Sequence, residues 1–305
     1  YVAVQTYNPY TGEKITVVMA EELVKAYFKK EGAEADMEAW TPGNKVVPYR
    51  IVGKWNGTDL VGMHYKQLMP WVKPTEKLDD HSPEYVRKYA EAHPDKVYGV
   101  DRYKFVELES EAFRVIPGDY VTTEDGTGIV HIAPTFGADD AKVAKAANIP
   151  PLYLINKRGE TRPMVDLQGR FYPVEDLAES FVEKCVDVPL YSNHAGAYVK
   201  NAYDPKFNEG GKYDEAAASA ADDLNLELCV ELKKEGKAFK TEKHVHNYPH
   251  CWRTDKPVLY YPLDSWFIRT PDARARLMEL NDTIKWKPAA TGSGPVSYTH
   301  LTLPT

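Results

Sequence analysis

The first twenty residues alternate between hydrophobic and polar positions in a way that predicts a β-hairpin. The segments 1–6 (YVAVQT) and 15–20 (ITVVMA) are both strand-like, and the segment 8–13 (NPYTGE) between them is rich in turn residues. Hydrophobic residues at helical spacing follow over 20–30 (AEELVKAYFKK). We therefore expect the chain to open with a hairpin that leads into a helix.

Strand-like runs continue through the next part of the chain. We expect strands over 45–55 (KVVPYRIVGKW) and over 58–68 (TDLVGMHYKQL), separated by an Asn-Gly pair. The stretch 74–111 is charged and predicts an excursion from this β-framework, with a helix that starts at Ser82 and Pro83. The pattern to this point indicates more strand than helix.

A second predicted hairpin lies in the middle of the chain. The run 113–134 (FRVIPGDYVTTEDGTGIVHIAP) is β-rich on both sides of a natural turn at Asp125 and Gly126. A helix is expected near Asp139, where an acidic start precedes Ala and Val at helical spacing. The later segments predict short strands around one helix over 151–200, helix-prone sequence over 213–237, and a last helix over 270–280.

Composition narrows the class of protein. The chain has 305 residues, 43% hydrophobic and 27% charged, with a formal net charge of -7, so it is globular and does not coat nucleic acid through bulk charge. No window approaches the roughly 18 apolar residues of a membrane span, and the first residues lack the features of a signal peptide. Three scattered cysteines favour a reducing, cytosolic compartment.

The densest group of candidate functional residues lies between Gly126 and Asp140. Gly126 and Gly128 would let backbone approach a ligand closely, and His131 stands within an apolar predicted strand, where a polar ring needs a partner. Asp139 and Asp140 follow at the expected helix start. A hairpin with one hydrogen-bonded histidine and a capping aspartate would have the same pattern, so these residues alone leave both interpretations open.

A metal site is a weaker possibility near the end of the chain. His244, His246, His250 and Cys251 form a possible zinc set, but no second thiol follows and the spacing matches no common zinc finger, so we expect no metal. Aromatic residues between 248 and 267 could stack on bases or form a core or interdomain seam. No Gly-x-Ser-x-Gly elbow for a serine nucleophile occurs.

The run GTGIVHIAPTFGADD (126–140) resembles the signature of the editing domain inserted into class I isoleucyl-tRNA synthetases. Valyl relatives usually carry Lys, and leucyl relatives Met, where this chain has His131. The opening segment, GTDLVGMHYKQL (57–68) and HVHNYPHCWRTDKPVLYYPLDSWFIRT (244–270) resemble further blocks of that family in order and spacing. The resemblance covers nearly the whole chain to about Gly294.

The resemblance implies a β-rich, barrel-like α+β domain with peripheral helices that hydrolyses Val-tRNA(Ile). It implies that Asp140 pairs with the α-ammonium of the misattached amino acid and that His131 lines the side-chain pocket. Thr127 and Gly128 would shape the same wall. A positioned water and the terminal ribose hydroxyl would carry the hydrolysis, with no catalytic side chain assigned.

By the same resemblance, residues 1–243 form the editing domain, 244–294 form a return stem toward the catalytic domain, and 295–305 (PVSYTHLTLPT) are a non-native tail. The strings HIGH and KMSKS do not occur, and the family's Thr-rich loop, expected just before Tyr1, is absent from this sequence. We therefore expect no cofactor in this segment, since ATP and Mg would bind the catalytic domain. The expected partners are the acceptor end of mischarged tRNA(Ile) and the rest of a synthetase chain.

Three other functions fit parts of this pattern. The segment could be a non-catalytic tRNA-docking module, which the missing Thr-rich loop favours. It could be a freestanding hydrolase, which would need a complete pocket of its own. It could edit for a related valyl or leucyl enzyme, against which His131 argues.

Overall fold

The structure is a computed structural model, and it describes residues 1–243, 247–263, 265–266 and 269–288. The chain forms two compact units, Tyr1–Pro262 and Leu263–Thr305. The expected return stem, 244–294, lies partly outside the described residues, and the expected tail, 295–305, lies wholly outside them. The domain boundaries drawn from the resemblance stay predictions.

The opening hairpin is confirmed. Strand β1 (Val2–Tyr7) pairs antiparallel with β2 (Lys14–Met19), and β3 (Arg50–Lys54) pairs with the other edge of β1, giving the order β2-β1-β3. The side chain of Asn8 begins the turn, because its Oδ1 accepts the N–H of Tyr10 at 2.8 Å. Alternate side chains of the hairpin enter a small core beside the following helix.

The helix after the hairpin is shorter than the sequence predicts. A single 3₁₀ turn (Glu21–Leu23) leads into α1 (Val24–Tyr27), and the chain leaves the helix at Phe28 with extended dihedrals. Phe28 is buried and packs against Tyr49 and Phe239, at centroid distances of 4.7 and 5.7 Å. This aromatic packing stabilises an extended backbone at Phe28, so the helix ends there.

The predicted strand over 58–68 is wrong. Residues 57–60 instead form the short helix α2 (Gly57–Leu60), which a capping box starts: the Asp59 carboxylate accepts the N–H of Asn56 at 2.9 Å, and the Asn56 side chain caps in return. Further along this segment, the backbone of His64 makes only an isolated antiparallel bridge to Arg114. The capping box thus replaces a strand only at the start of the segment, whereas residues 62–65 exchange backbone hydrogen bonds with 113–115.

A second sheet occupies the charged stretch. Strands β4 (Thr75–Leu78), β5 (Val97–Val100) and β6 (Tyr103–Glu107) pair antiparallel in the order β4-β6-β5. The predicted helix start at Ser82 and Pro83 is confirmed by α3 (Glu84–Ala92), whose first residue follows Pro83. The charged stretch thus forms a sheet of its own, whereas the sequence predicted only a helix and a departure from the β-framework.

This second sheet separates two cores. On one face, α3 covers a small cluster that contains Val86, Val106 and Leu108. On the other face, Phe105 belongs to the largest hydrophobic cluster among the described residues, with the fully buried Phe181 and Tyr191. Apart from short 3₁₀ turns, the other strands and helices of the described residues are β7 (Leu154–Ile155), β8 (Thr161–Arg162), α4 (Ala138–Ala146), α5 (Glu179–Cys185), α6 (Val188–Tyr191), α7 (Glu215–Ala220), α8 (Leu224–Lys234) and, in the second unit, α9 (Thr270–Asp282).

The mixed α and β character is confirmed, whereas a closed barrel does not appear. The described strands form three small antiparallel sheets of three, three and two strands, and none of these closes on itself. Closure needs a continuous, tilted ring of strands, and these sheets are interrupted by helices and long connections. No helix in the described ranges is long and apolar enough to cross a membrane.

Candidate functional site

The expected hairpin around Asp125 and Gly126 is wrong. Past an isolated bridge at Arg114, residues 115–133 contain no strand and pass through a compact turn. Gly126 and Gly128 have φ values of 58° and 73°, in the left-handed region that favours glycine, so the chain bends twice within three residues. The N–H of Gly128 closes the turn on the carbonyl of Asp125 at 3.3 Å.

Hydrogen bonds from distant residues hold this turn. The hydroxyl of Tyr27 donates to the Gly126 carbonyl at 2.9 Å, and the hydroxyl of Tyr1 donates to the Gly128 carbonyl at 2.6 Å. Between them, the backbone N–H of Ala20 donates to the Thr127 carbonyl at 2.9 Å. These donors satisfy three consecutive carbonyls without a strand partner, so the backbone here needs no hairpin ladder.

The two predicted wall residues lie directly on this turn. Gly128 is buried, and a Cβ there would lie 2.7 Å from the Cβ of Ala20, so only glycine fits. The Thr127 hydroxyl donates to the carbonyl of Ile129 at 3.2 Å and lies 3.4 Å from its N–H. Thr127 therefore uses its side chain to shape the backbone that leads toward His131.

Asp140 does not cap its helix. Helix α4 begins at Ala138 with Gly137 at the N-cap position and no side-chain cap, and Asp140 lies in its first turn. The Oδ2 atom of Asp140 instead accepts the N–H of Ala133, seven residues earlier, at 2.9 Å. Among the described residues, no hydrogen bond reaches its Oδ1. One carboxylate oxygen is thus fixed by the loop, while the other has no hydrogen-bond partner in the described part of the chain.

His131 is exposed on a loop, so the expectation of a polar ring inside an apolar strand is wrong. Its neighbours Ile129 and Val130 are also about half exposed, at 49% and 52%. No hydrogen bond joins Asp140, His131, Thr127 and Gly128 to one another within the described part of the chain. The hydrogen bond from the Ala133 N–H places Asp140 beside the backbone two residues after His131. Thr127 and Gly128 are instead bound by Ala20 and Tyr1, at the ends of the opening hairpin.

The described residues bring together no group of three or more His, Cys, Asp or Glu side chains that could hold a metal ion. His244 and His246 lie outside those residues. The Nδ1 atom of His250 lies 3.8 Å from the Oδ1 atom of Asp255, in a turn that also contains Cys251. The hydrogen bond from the Thr254 side chain is the largest cause that lowers the pKa of the Cys251 thiol.

The exposed aromatic residues include Trp252 and Tyr260, at 83% and 63% exposure, whereas Tyr261 is anchored by its hydroxyl to the Val165 carbonyl at 2.9 Å. Phe267 lies outside the described residues.

Four residues that build the site were not predicted from the sequence. Tyr1, Ala20 and Tyr27 hold the turn, and Gly137 leaves room for Asp140, because a Cβ on Gly137 would lie 2.9 Å from the Asp140 Oδ2. Tyr1 and Ala20 are strand-end residues and Tyr27 follows helical spacing, so no local pattern marks them. Gly137 just before an acidic helix start was the one visible signal.

The chain is similar to isoleucine–tRNA ligases over nearly its whole length. It is 56% identical to that of Bacteroides thetaiotaomicron over 294 residues and 48% identical to that of Porphyromonas gingivalis over 295 residues. Both matches cover 96% of this chain, which spans 23% and 22% of those proteins. The ligase of Clostridium acetobutylicum is 32% identical over 79% of this chain and 15% of its own length.

No family model matches the chain. The matches to curated relatives nevertheless agree, since each of these three is named an isoleucine–tRNA ligase and each aligns with only part of its length. The chain therefore belongs to the isoleucine–tRNA ligase family and corresponds to a segment of about 23% of its B. thetaiotaomicron relative.

Proposed function

We propose that this chain is the editing segment of an isoleucine–tRNA ligase and hydrolyses valine from Val-tRNA(Ile). In this proposal the complete enzyme attaches isoleucine to tRNA(Ile) with ATP in the cytosol. The relatives' name supports the ligase, and the Gly126–Asp140 site supports the hydrolysis. The partners are then the acceptor end of tRNA(Ile) and the rest of the ligase chain.

The half-fixed carboxylate of Asp140 carries the proposal. Its Oδ2 is held by the Ala133 N–H, which orients the group, and its Oδ1 has no partner among the described residues. An α-ammonium group that approaches Oδ1 would gain a charge-assisted hydrogen bond without breaking the existing one. Such a contact would fix the amino acid while leaving its ester carbonyl free for attack.

The rest of the site has the chemistry for a selective pocket rather than for a protein nucleophile. Gly128 and Thr127 would form a rigid wall, and the exposed His131 would meet the amino acid side chain. A bound water, oriented by the terminal ribose hydroxyl, would attack the ester carbon and release valine and tRNA. We assign no cofactor to this segment, and ATP and Mg would bind the catalytic part of the ligase.

Substitutions at Asp140 test this role. With the chain in place of the corresponding segment of a full-length isoleucine–tRNA ligase, we expect Asp140→Ala to slow hydrolysis of Val-tRNA(Ile) by about 10- to 100-fold, from a lost charged contact of roughly 1.5–3 kcal/mol. Asp140→Asn can still accept the Ala133 N–H but has no charge, and it should be comparably slow. Aminoacylation with isoleucine should hardly change.

The neighbouring Asp139 is the matched control, because it is exposed in the same helical turn and is outside the Ala133 contact. Asp139→Ala should leave hydrolysis within about 2-fold of the parent, as expected for a surface change. Parent-like hydrolysis by Asp140→Asn would assign Asp140 a purely structural role. Tight tRNA binding without any hydrolysis by the parent would instead support a docking module.

A further inference from the structure

We propose that Tyr1 and Tyr27 are positioning residues that hold the Gly126–Gly128 turn in the shape the candidate pocket needs. Their hydroxyls donate to the first and last carbonyls of the turn, and the Ala20 N–H donates to the middle one. All three donors come from the opening hairpin and its helix, and the two tyrosine bonds span 127 and 99 residues of the chain. The catalytic consequence of this role rests on the proposed function.

Packing holds both phenol rings where their hydroxyls can reach the turn. The Tyr1 ring lies beside Gly57, where a Cβ would approach its Cε2 to 3.2 Å, and its backbone nitrogen donates to the Trp55 carbonyl at 2.8 Å. The Tyr27 ring is covered by the Lys240 ammonium, with Nζ 4.5 Å from the ring centroid. Each hydroxyl therefore reaches its carbonyl from a supported ring.

The turn needs such outside support. The backbones of Gly126 and Gly128 both lie in the left-handed region. Glycine has more accessible backbone conformations than any other residue type. Within the turn, the closing bond from Gly128 to Asp125 is long, at 3.3 Å. Without the tyrosine hydroxyls, Thr127 and Gly128 would sample more positions, and a pocket wall that moves excludes a larger side chain less well.

Removing only the hydroxyl oxygens tests the mechanical part of the proposal. Tyr1→Phe and Tyr27→Phe keep the rings, and Tyr7→Phe is the matched control, because the Tyr7 hydroxyl donates to the Met37 carbonyl at 2.6 Å from the same hairpin. In the 305-residue chain, we expect amide hydrogen exchange at Gly128 and Ile129 to quicken by about 2- to 10-fold in the two test variants. Tyr7→Phe should leave both amides unchanged.

Substrate discrimination tests the functional part. In a full-length ligase that carries this chain, Tyr1→Phe and Tyr27→Phe should lower the ratio of kcat/KM for Val-tRNA(Ile) over Ile-tRNA(Ile) by about 3- to 10-fold, consistent with one hydrogen bond. General destabilisation would instead slow both substrates equally and leave the ratio unchanged. Tyr7→Phe should retain the parent ratio.

The outcomes separate this proposal from the function on which it rests. Unchanged exchange in both test variants, or the same acceleration in Tyr7→Phe, would overturn the positioning role whatever the activity. Faster exchange with an unchanged discrimination ratio would also overturn it, since the turn would then not shape the pocket. If the parent ligase hydrolyses neither substrate, the proposed function fails, and exchange alone decides whether the tyrosines hold the turn.

Discussion

At the scale of single residues, the candidate site depends on Gly137 and Gly128, because neither residue has a Cβ. A Cβ on Gly137 would lie 2.9 Å from the Oδ2 of Asp140, in the space that the carboxylate uses to reach the Ala133 N–H. Gly128 combines a φ of 73° with a hydrogen in place of a Cβ that would press on Ala20. Both glycines therefore permit close approach, one of a side chain and one of backbone.

Gly128 and Gly126 offer a test in which only one position is crowded. Both have left-handed φ values, but a Cβ on Gly126 would meet nothing within 4 Å, whereas a Cβ on Gly128 would lie 2.7 Å from that of Ala20. We expect Gly126→Ala to lower the free energy of unfolding by about 1 kcal/mol from backbone strain alone, and Gly128→Ala to lower it by about 2–4 kcal/mol. Urea unfolding monitored by circular dichroism measures both. Equal losses would mean that the contact with Ala20 relaxes without cost.

At the scale of elements, long-range contacts override local patterns. The segment 57–68 has strand-like composition, yet one capping box turns its start into α2. The segment 113–134 looks like a hairpin, yet its turn carbonyls accept hydrogen bonds from Tyr1 and Ala20, which flank β1 and β2, and from Tyr27 of α1. In both places, specific hydrogen bonds satisfy the backbone in a way that propensity does not describe.

Strand β4 contains a half-buried carboxyl with an unusual pKa. Glu76 stands two residues before Leu78, so both side chains lie on the face of the sheet that α3 covers. Burial raises the pKa of Glu76 from an ordinary 4.5 to about 7. The nearby Glu76 charge also contributes to a raised pKa of Tyr85 on α3, after burial as the larger cause.

This carboxyl should make stability depend on pH. Because the folded chain binds the Glu76 proton more tightly than the unfolded chain, its contribution is fully present below pH 4.5 and is lost as the pH rises through about 7. In the parent, we expect the free energy of unfolding to fall by about 1–2 kcal/mol over that range. The Glu76→Gln variant should lack this fall and should be more stable than the parent at pH 8. Urea unfolding at several pH values measures this.

Glu84→Gln on α3 is the control for that experiment. Glu84 is exposed and pairs with Lys88 at 2.6 Å, which lowers the pKa of its carboxyl, so the fall between pH 4.5 and 7 should persist in this variant. A Glu76→Gln profile parallel to that of the parent would show that Glu76 is hydrated and ordinary.

At the scale of the whole molecule, the chain corresponds to about 23% of its B. thetaiotaomicron relative and includes neither HIGH nor KMSKS. By the resemblance, those strings would lie in the nucleotide-binding fold of a complete synthetase. We therefore expect the 305-residue chain to show no isoleucine-dependent exchange of pyrophosphate into ATP above a no-enzyme control. A full-length ligase run in parallel should be active. Exchange by the chain alone would mean that an unrecognised nucleotide site exists within it.

The sequence alone determined the features that depend on neighbouring residues. Alternation predicted the hairpin of β1 and β2, the Ser-Pro pair predicted the start of α3, and the acidic start predicted α4. The motif over 126–140, by its resemblance, also pointed to the ligase family that the relatives confirm. Each of these signals lies within a short stretch of chain, where propensity and capping act.

Only the tertiary structure decided how the candidate site is built. The bonds from Tyr1 and Tyr27 to the turn span 127 and 99 residues, and no local pattern encodes which carbonyl a distant hydroxyl will reach. His131 is exposed, because its segment is a loop and not the predicted strand. Short, separate sheets replaced the expected barrel because pairing partners are chosen by packing across the whole fold, and that choice is not a property of any one segment.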